Sequence, residues 1–414
     1  MRLQSRQRIV AAAVITCIAV LLAWRVLTLG LADHWQSSDP ERALRWREDH
    51  PVALLNALDA ALRQPADAKT IKALALSALQ ASPLNGRPYR VLAQLREAED
   101  GIEAALPLYN AAVHRGPRDR FTHARLFDYG LQTGDVAKAL GHFDFLLRLR
   151  PQTASTLLPV LVTLAAEPAV QPALAAKLSD SPPWRAQFLR LLAQTASDSG
   201  AVEPLWQLLR TGAGGGLPQA ELQPWLDRLL RDGQGDRAYL VWVSQLGQRE
   251  LTELGNVYNG DFELAPSGFG FDWRFGRVPG ARIDRMPVTG ASGNLALRVA
   301  FDDRRVPFAH VQQVLALPPG MWRLQGRARA DALRSERGLV WQVNCHAGGA
   351  PLGRSEPLRG QRSWHAFALA FEVPAQGCSA QVLRLLLPAR IPAERRIGGQ
   401  AWYDGLAISR APTP

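Results

Sequence analysis

Asp302 and Asp303 are the closest the chain comes to an acid–base pair. Glycoside hydrolysis needs two carboxyl groups converging on one bond, and neighbours in a strand point to opposite faces. His310, His346 and His365 are conceivable metal ligands, but no carboxylate lies at ligand spacing from them. There is no G-x-S-x-G, no H-E-x-x-H, no C-x-x-C and no P-loop. These residues point away from catalysis. The chemistry left is recognition: Arg87, Arg90 and Gln94 recur at helical spacing, as either an acidic-peptide groove or a solvated polar face.

At 414 residues and 47% hydrophobic content, the chain is expected to fold into two or more cores. Its net charge is +11, carried almost entirely by Arg, since Lys69, Lys72, Lys138 and Lys177 are its only lysines. Arginines spread through every segment argue against a nucleic-acid surface, which concentrates charge in a stripe or tail. Net positive charge still steers polyanions. Near the start, Arg2, Arg6 and Arg8 precede an apolar run from Ile9 to Ala32, interrupted by Arg25. The run is long enough to cross a bilayer of about 30 Å if Arg25 snorkels, and the cationic flank puts residues 1–8 in the cytoplasm. A retained inner-membrane anchor over residues 9–32 is the favoured reading. Gly30-Leu31-Ala32 also satisfies the small-x-small rule for a cleaved signal peptide. Either way, the bulk is expected in the periplasm. There Cys345 and Cys378 form an even pair and are predicted to be disulfide-bonded, while Cys17 lies inside the apolar run.

The elements that position the recognition residues fall into two classes. Pro83, Pro117 and Pro151 recur every 34 residues and separate two helical units. The first carries Tyr89, Leu92, Ala93, Ala105, Tyr109 and Ala112, and the second carries Leu126, Gly134, Ala139 and Phe143. This pattern resembles the tetratricopeptide repeat, with departures at Phe127 and Leu146, where that motif prefers small residues. Helical pairs continue to about Leu254, so an all-α, tetratricopeptide-like solenoid is expected over 39–254, with "RTGAGGGLP" (210–218) as its flexible loop. Such solenoids present a groove to a protein partner.

From Val257 the period changes to two. "NLALRVAF", "HVQQVLAL", "MWRLQGRARA", "LVWQVNCHA", "WHAFALAFEVP", "AQVLRLLLP" and "AWYDGLAIS" read as strands of an all-β jelly-roll sandwich over 255–414. The opening "NGDFE" and the closing "AWYDGLAIS" resemble the two ends of carbohydrate-binding jelly-roll modules. The resemblance implies a glycan ligand and a structural calcium, the one cofactor expected, on Glu263 and Asp404 with backbone carbonyls. The other reading of those two acids is pairing with nearby Arg or solvation. Sugar binding calls for a flat aromatic beside polar groups. In "NVYNGDFELAPSGFGFDWRF", Gly268 and Gly270 free the backbone to bring Phe269 or Trp273 to the surface, and Arg274 is placed to pair with an acidic sugar. The competing reading has Trp273 plugging the core. By strand alternation Phe262 is expected inward, with Asp261 and Glu263 outward.

The function expected is a non-enzymatic, membrane-anchored periplasmic accessory of cell-surface polysaccharide assembly or export, of the exopolysaccharide or O-antigen kind. The alternative is a pure protein scaffold of an envelope complex. Nucleic acid is not an expected partner.

Overall fold

The computed structural model describes residues 2–63, 66–212 and 217–411, and of residues 2–11 the backbone alone. The centre of the Gly-rich loop, residues 213–216, lies outside the described residues, as does Met1 of the expected cytoplasmic tail. The apolar run forms one helix, Arg2–Trp35. Its segment Ala12–Trp35 is long and apolar enough to cross a membrane, and its most apolar stretch is not buried in protein. At about 1.5 Å per residue, a helix of that length matches a hydrocarbon layer about 30 Å thick.

Two compact units divide the chain, and the division falls inside the helical stretch: Met1–Leu157 with Asp180–Pro183, and Leu158–Ser179 with Trp184–Pro414. In the first, helices Gly86–Asp100 and Ile102–Arg115 form one pair, and Arg120–Gln132 and Val136–Leu149 the next. Corresponding helices start 34 residues apart, at Gly86 and Arg120 and again at Ile102 and Val136. Gly101, at φ 86, is the single link that turns one helix back on the other. Ala93 and Ala105, both fully buried, let that pair close on Tyr109 and Leu126. Phe127, too large for the repeat pattern, packs against Phe143 with ring centroids 5.3 Å apart.

The second unit combines further helices with the sandwich. Trp206 and Trp225, fully buried, stack at 5.0 Å between helices Ser199–Thr211 and Gln219–Arg231. Helix Gly235–Val243 packs directly on the β-domain. A side chain at Gly235 would meet the Ser379 carbonyl at 2.1 Å, and Trp242 contacts Tyr258 and Phe271 edge-on and tilted, at 5.1 and 5.6 Å.

The strands are β1 (Arg274–Phe275), β2 (Ala281–Met286), β3 (Ala296–Arg305), β4 (Val311–Leu315), β5 (Gly320–Ser335), β6 (Val340–Cys345), β7 (Gly353–Arg354), β8 (Gly360–Val373), β9 (Gln381–Leu386) and β10 (Arg396–Arg410). They form two antiparallel sheets, β1-β4-β9-β6-β7 and β2-β3-β10-β5-β8. The inward residues alternate along each strand: Leu297, Val299 and Phe301 on β3 face Trp341, Val343, Leu383 and Leu385 from the other sheet in one core. Two inward glutamines tie loops to the first sheet. Gln313 exchanges two hydrogen bonds with the Tyr258 backbone (3.1 and 2.9 Å), and Gln381 does the same with Leu317 (3.0 and 3.2 Å). Cys345, closing β6, is bonded to Cys378, with Cα atoms 5.1 Å apart.

Candidate functional site

The opening stretch of the sandwich is built from turns, and the expected strand at "NGDFE" is not formed. Asn259 and Phe262 both have positive φ (49 and 57). The Asn259 side chain holds the turn by bonding the Leu264 backbone N–H and C=O at 3.0 and 2.9 Å. Gly260 lies against β10, where a Cβ would sit 2.0 Å from the Leu406 carbonyl. Phe262 does reach the core, through this left-handed turn rather than by strand alternation, while Asp261 stays exposed and Glu263 half-buried.

The aromatic platform expected at Phe269 or Trp273 is absent. Trp273 is fully buried, tilted against Phe262 and Trp341, and donates its indole N–H to the Asn259 carbonyl at 3.0 Å. Phe269 is also buried. Gly268 and Gly270 adopt positive φ, as their type allows, but the freedom serves close packing: a Cβ on Gly270 would sit 2.2 Å from the Trp242 ring. Elsewhere on the sandwich, Trp322 and Trp341 fill the core. Guanidinium groups lie over Trp402 (Arg298, 5.7 Å) and Trp364 (Arg327, 5.3 Å), so those ring faces are already engaged.

Arg274, the third residue of the expected glycan contact, stands at the end of a different feature. Cross-strand registers place Arg274 opposite Gln312, Gln312 opposite Arg384, Arg384 opposite Gln342, and Gln342 opposite Arg354. Directly opposed residues share a face, so one row of alternating guanidinium and amide groups crosses all five strands of the first sheet. Four strand spacings of about 4.8 Å make it about 19 Å long. Arg384 Nε donates to Gln312 at 3.0 Å and Arg354 Nε to Gln342 at 2.9 Å. Gln342 in turn donates to Asn344 at 2.7 Å. Arg274 donates to the Gly270 carbonyl at 3.3 Å and lies 3.9 Å from Asp227, and its Nε is a buried donor without a partner. The five are half-buried or exposed. Gln312, Arg384 and Gln342 did carry a signal, as polar residues within the largely apolar runs "HVQQVLAL", "AQVLRLLLP" and "LVWQVNC". Their alignment depends on register.

Glu263 and Asp404 each meet the loop before β3. Asp404, fully buried, accepts from the backbone N–H groups of Ser292 and Gly405, and Glu263 Oε1 accepts from Asn294 and Leu295 at 2.7 and 2.8 Å. Partial desolvation where it lies against the turn, then the neighbouring charges of Asp404 and Glu263, raise the Asp261 carboxyl above its ordinary range. Among the described residues no group of three or more His, Cys, Asp or Glu is placed to hold a metal ion, so a cation here would draw on backbone oxygens. Asp303 pairs with Arg396 at 3.2 Å.

In the helical unit, Arg87 pairs with Asp59 at 3.2 Å and Arg90 with Asp119 at 3.3 Å. Arg87 and Arg90 line one hollow. Gln94 does not, and serves instead as an acceptor for Arg90 at 3.4 Å.

No protein-family model matches the sequence, and no curated protein matches it. Solved structures similar to part of the chain include a CBM4 carbohydrate-binding module, 13% identical over 37% of this chain and 99% of that one, with a TM-score of 0.29. Another is a CBM61 module in complex with β-1,4-galactotriose, 15% identical over 38% and 99%, TM-score 0.27. A third is the CBM22-1 xylan-binding domain of Paenibacillus barcinonensis Xyn10C, 12% identical over 37% and 94%, TM-score 0.25. Likeness at these scores says nothing of ligand or site.

Proposed function

We propose that the sandwich contacts an acidic glycan along the Arg274–Gln312–Arg384–Gln342–Arg354 row, in a non-enzymatic protein anchored by helix Arg2–Trp35. The observation that carries this reading is the row itself. Guanidinium forks grip carboxylates in bidentate fashion, amides serve hydroxyl groups, and their alternation along about 19 Å suits an extended chain bearing both.

The setting completes the proposal. The apolar helix holds the chain in the bacterial inner membrane with its bulk in the periplasm, where the Cys345–Cys378 bond is stable. The helix pairs of 34-residue period are of tetratricopeptide type and hold a protein partner. The protein then acts as an accessory in assembly or export of a cell-surface polysaccharide. A structural calcium on Glu263 and Asp404 belongs to the same reading, since a divalent cation would offset the negative charges that Asp261, Glu263 and Asp404 bring near one another.

Affinity electrophoresis of the full-length protein through gels containing polygalacturonate tests it. Retardation is expected, with the double variant Arg274→Gln/Arg384→Gln binding about tenfold or more weakly, the scale of a lost charge-assisted pair. Equal retardation of variant and wild type would remove the row as the site. No retardation by acidic or neutral polysaccharides would leave a protein scaffold.

A further inference from the structure

Arg87, Arg90, Arg115, Arg118, Arg120 and Arg150 line a single hollow of about 620 Å³ in the helical unit, with Asp119 the only acid among them. Its walls are helix ends: the start of Gly86–Asp100, the end of Ile102–Arg115, the link through Gly116, Arg118 and Asp119, the start of Arg120–Gln132, and the end of Val136–Leu149. Two successive helix pairs meet here, and the two helices of the first close tightly at this end: a Cβ on Gly86 would lie 2.5 Å from the Ala112 carbonyl. Asp59 and Asp119 engage Arg87 and Arg90. Arg115, Arg118, Arg120 and Arg150 are exposed and make no ion pair among the described residues. The Asp119 carboxylate accepts from Thr122 Oγ1 at 2.6 Å and makes no capping bond to helix Arg120–Gln132, so the first-turn N–H groups of that helix keep their capacity to donate.

We propose that this hollow binds a di- or triphosphate group. Four unpaired guanidinium groups gathered at one place repel one another, and a ligand able to offset them must concentrate several negative charges in a small volume. A polyphosphate does so with oxygens arranged for bidentate guanidinium contacts and for helix N-terminal amides. An extended acidic peptide spreads its carboxylates, with same-face residues about 6.5–7 Å apart. The lining contains no aromatic ring, only Leu84 and Leu149 as large apolar residues, and so offers no stacking surface for a base or a sugar. Recognition therefore rests on the phosphates, whether free in solution or carried as a lipid headgroup. The glycan reading plays no part in this inference.

Isothermal titration of the full-length protein in non-ionic detergent with inorganic tripolyphosphate tests the proposal. Saturable binding is expected, weakening as salt rises from 50 to 200 mM and at least tenfold tighter than for inorganic phosphate or sulfate. Arg118→Gln/Arg120→Gln is expected to weaken it at least tenfold without changing thermal melting. Arg277→Gln, in the sandwich, is expected to leave it unchanged. Micelles doped with geranylgeranyl diphosphate separate the two sources. Competition with tripolyphosphate assigns a lipid headgroup, and an unchanged titration assigns a soluble ligand. Equal binding by wild type and the double variant, no binding at millimolar tripolyphosphate, or tighter competing binding of a poly-glutamate peptide would each overturn it.

Discussion

Replacing Trp273 with alanine removes one of the largest fully buried side chains of the sandwich. The indole touches Phe262 and Trp341, at 5.1 and 5.8 Å between ring centroids, so the cavity would open at the junction of the opening turn and the first sheet. Truncations of this kind cost about 3–5 kcal/mol. The 3.0 Å bond to the Asn259 carbonyl is lost as well, at about 0.5–1.5 kcal/mol, since that oxygen still accepts from the Phe262 N–H. Because the two contributions overlap, about 4 kcal/mol is a fair central figure. Hydrogen exchange by mass spectrometry on the full-length protein reads this locally. Amides of β6 and β9 that exchange through opening of the sandwich should exchange about 1,000-fold faster in the variant, at 1.4 kcal/mol per decade. Trp273→Phe retains most of the packing and should lose about one to two decades of protection. Exchange within about tenfold of wild type for Trp273→Ala would show that the residue is not part of the core.

Reduction of Cys345–Cys378, which spans 33 residues, should lower sandwich stability by about 3–4 kcal/mol in the chain-entropy model, read as lost exchange protection in β6 and β9. Glu394 is held down to about 2, first by its hydrogen bond from Arg337 and then by the Arg390 backbone N–H. A depressed carboxylate contributes in full above its ordinary value near 4.5 and loses that contribution as pH falls toward 2. Near-UV circular dichroism melts between pH 6 and 3 should therefore fall less steeply for Glu394→Gln than for wild type, and parallel curves would contradict this. If calcium sits at Glu263 and Asp404, a chelator should lower the sandwich melting temperature and Asp404→Asn should abolish the shift. An unchanged melt would dispose of the cation.

Much of the sandwich was legible because seven runs alternate or stay apolar over strand length, and each of the seven lies on one of strands β3–β6 or β8–β10. β1 and β7, two residues each, are too short for any period to register. β2, "ARIDRM", carries charges on both sides of its apolar positions and hides its pattern. The opening stretch misled through its glycines and asparagine. They permit a left-handed turn as readily as a loop, and only the presence of Trp242 and the β10 carbonyl at Leu406 decides that Gly270 and Gly260 are sites of contact. Composition could not tell a buried Trp273 from an exposed one for the same reason. Helical pairs continue across residue 157 in the sequence, yet most of those after it belong to one compact unit with the strands, Trp242 packing on Tyr258. The arginines at 115, 118, 120 and 150 cluster only where two turns of the repeat meet.

β10 lies between β3 and β5, in the middle of its sheet, although it is the last strand in chain order. Chains emerge N-terminus first, at about 5–20 residues per second. The facing edges of β3 and β5 therefore wait, unpaired, until residues 396–410 have been delivered. Helix Gly235–Val243 waits as well, with Trp242 lacking its Phe271 and Tyr258 neighbours until the turn settles. Assembly of this half is accordingly dominated by pairings distant in sequence, the class of folding that runs slowest and exposes strand edges longest. A nascent chain halted before Arg396 would present two long edges at once, a species for chaperones and proteases to handle rather than a partly working protein.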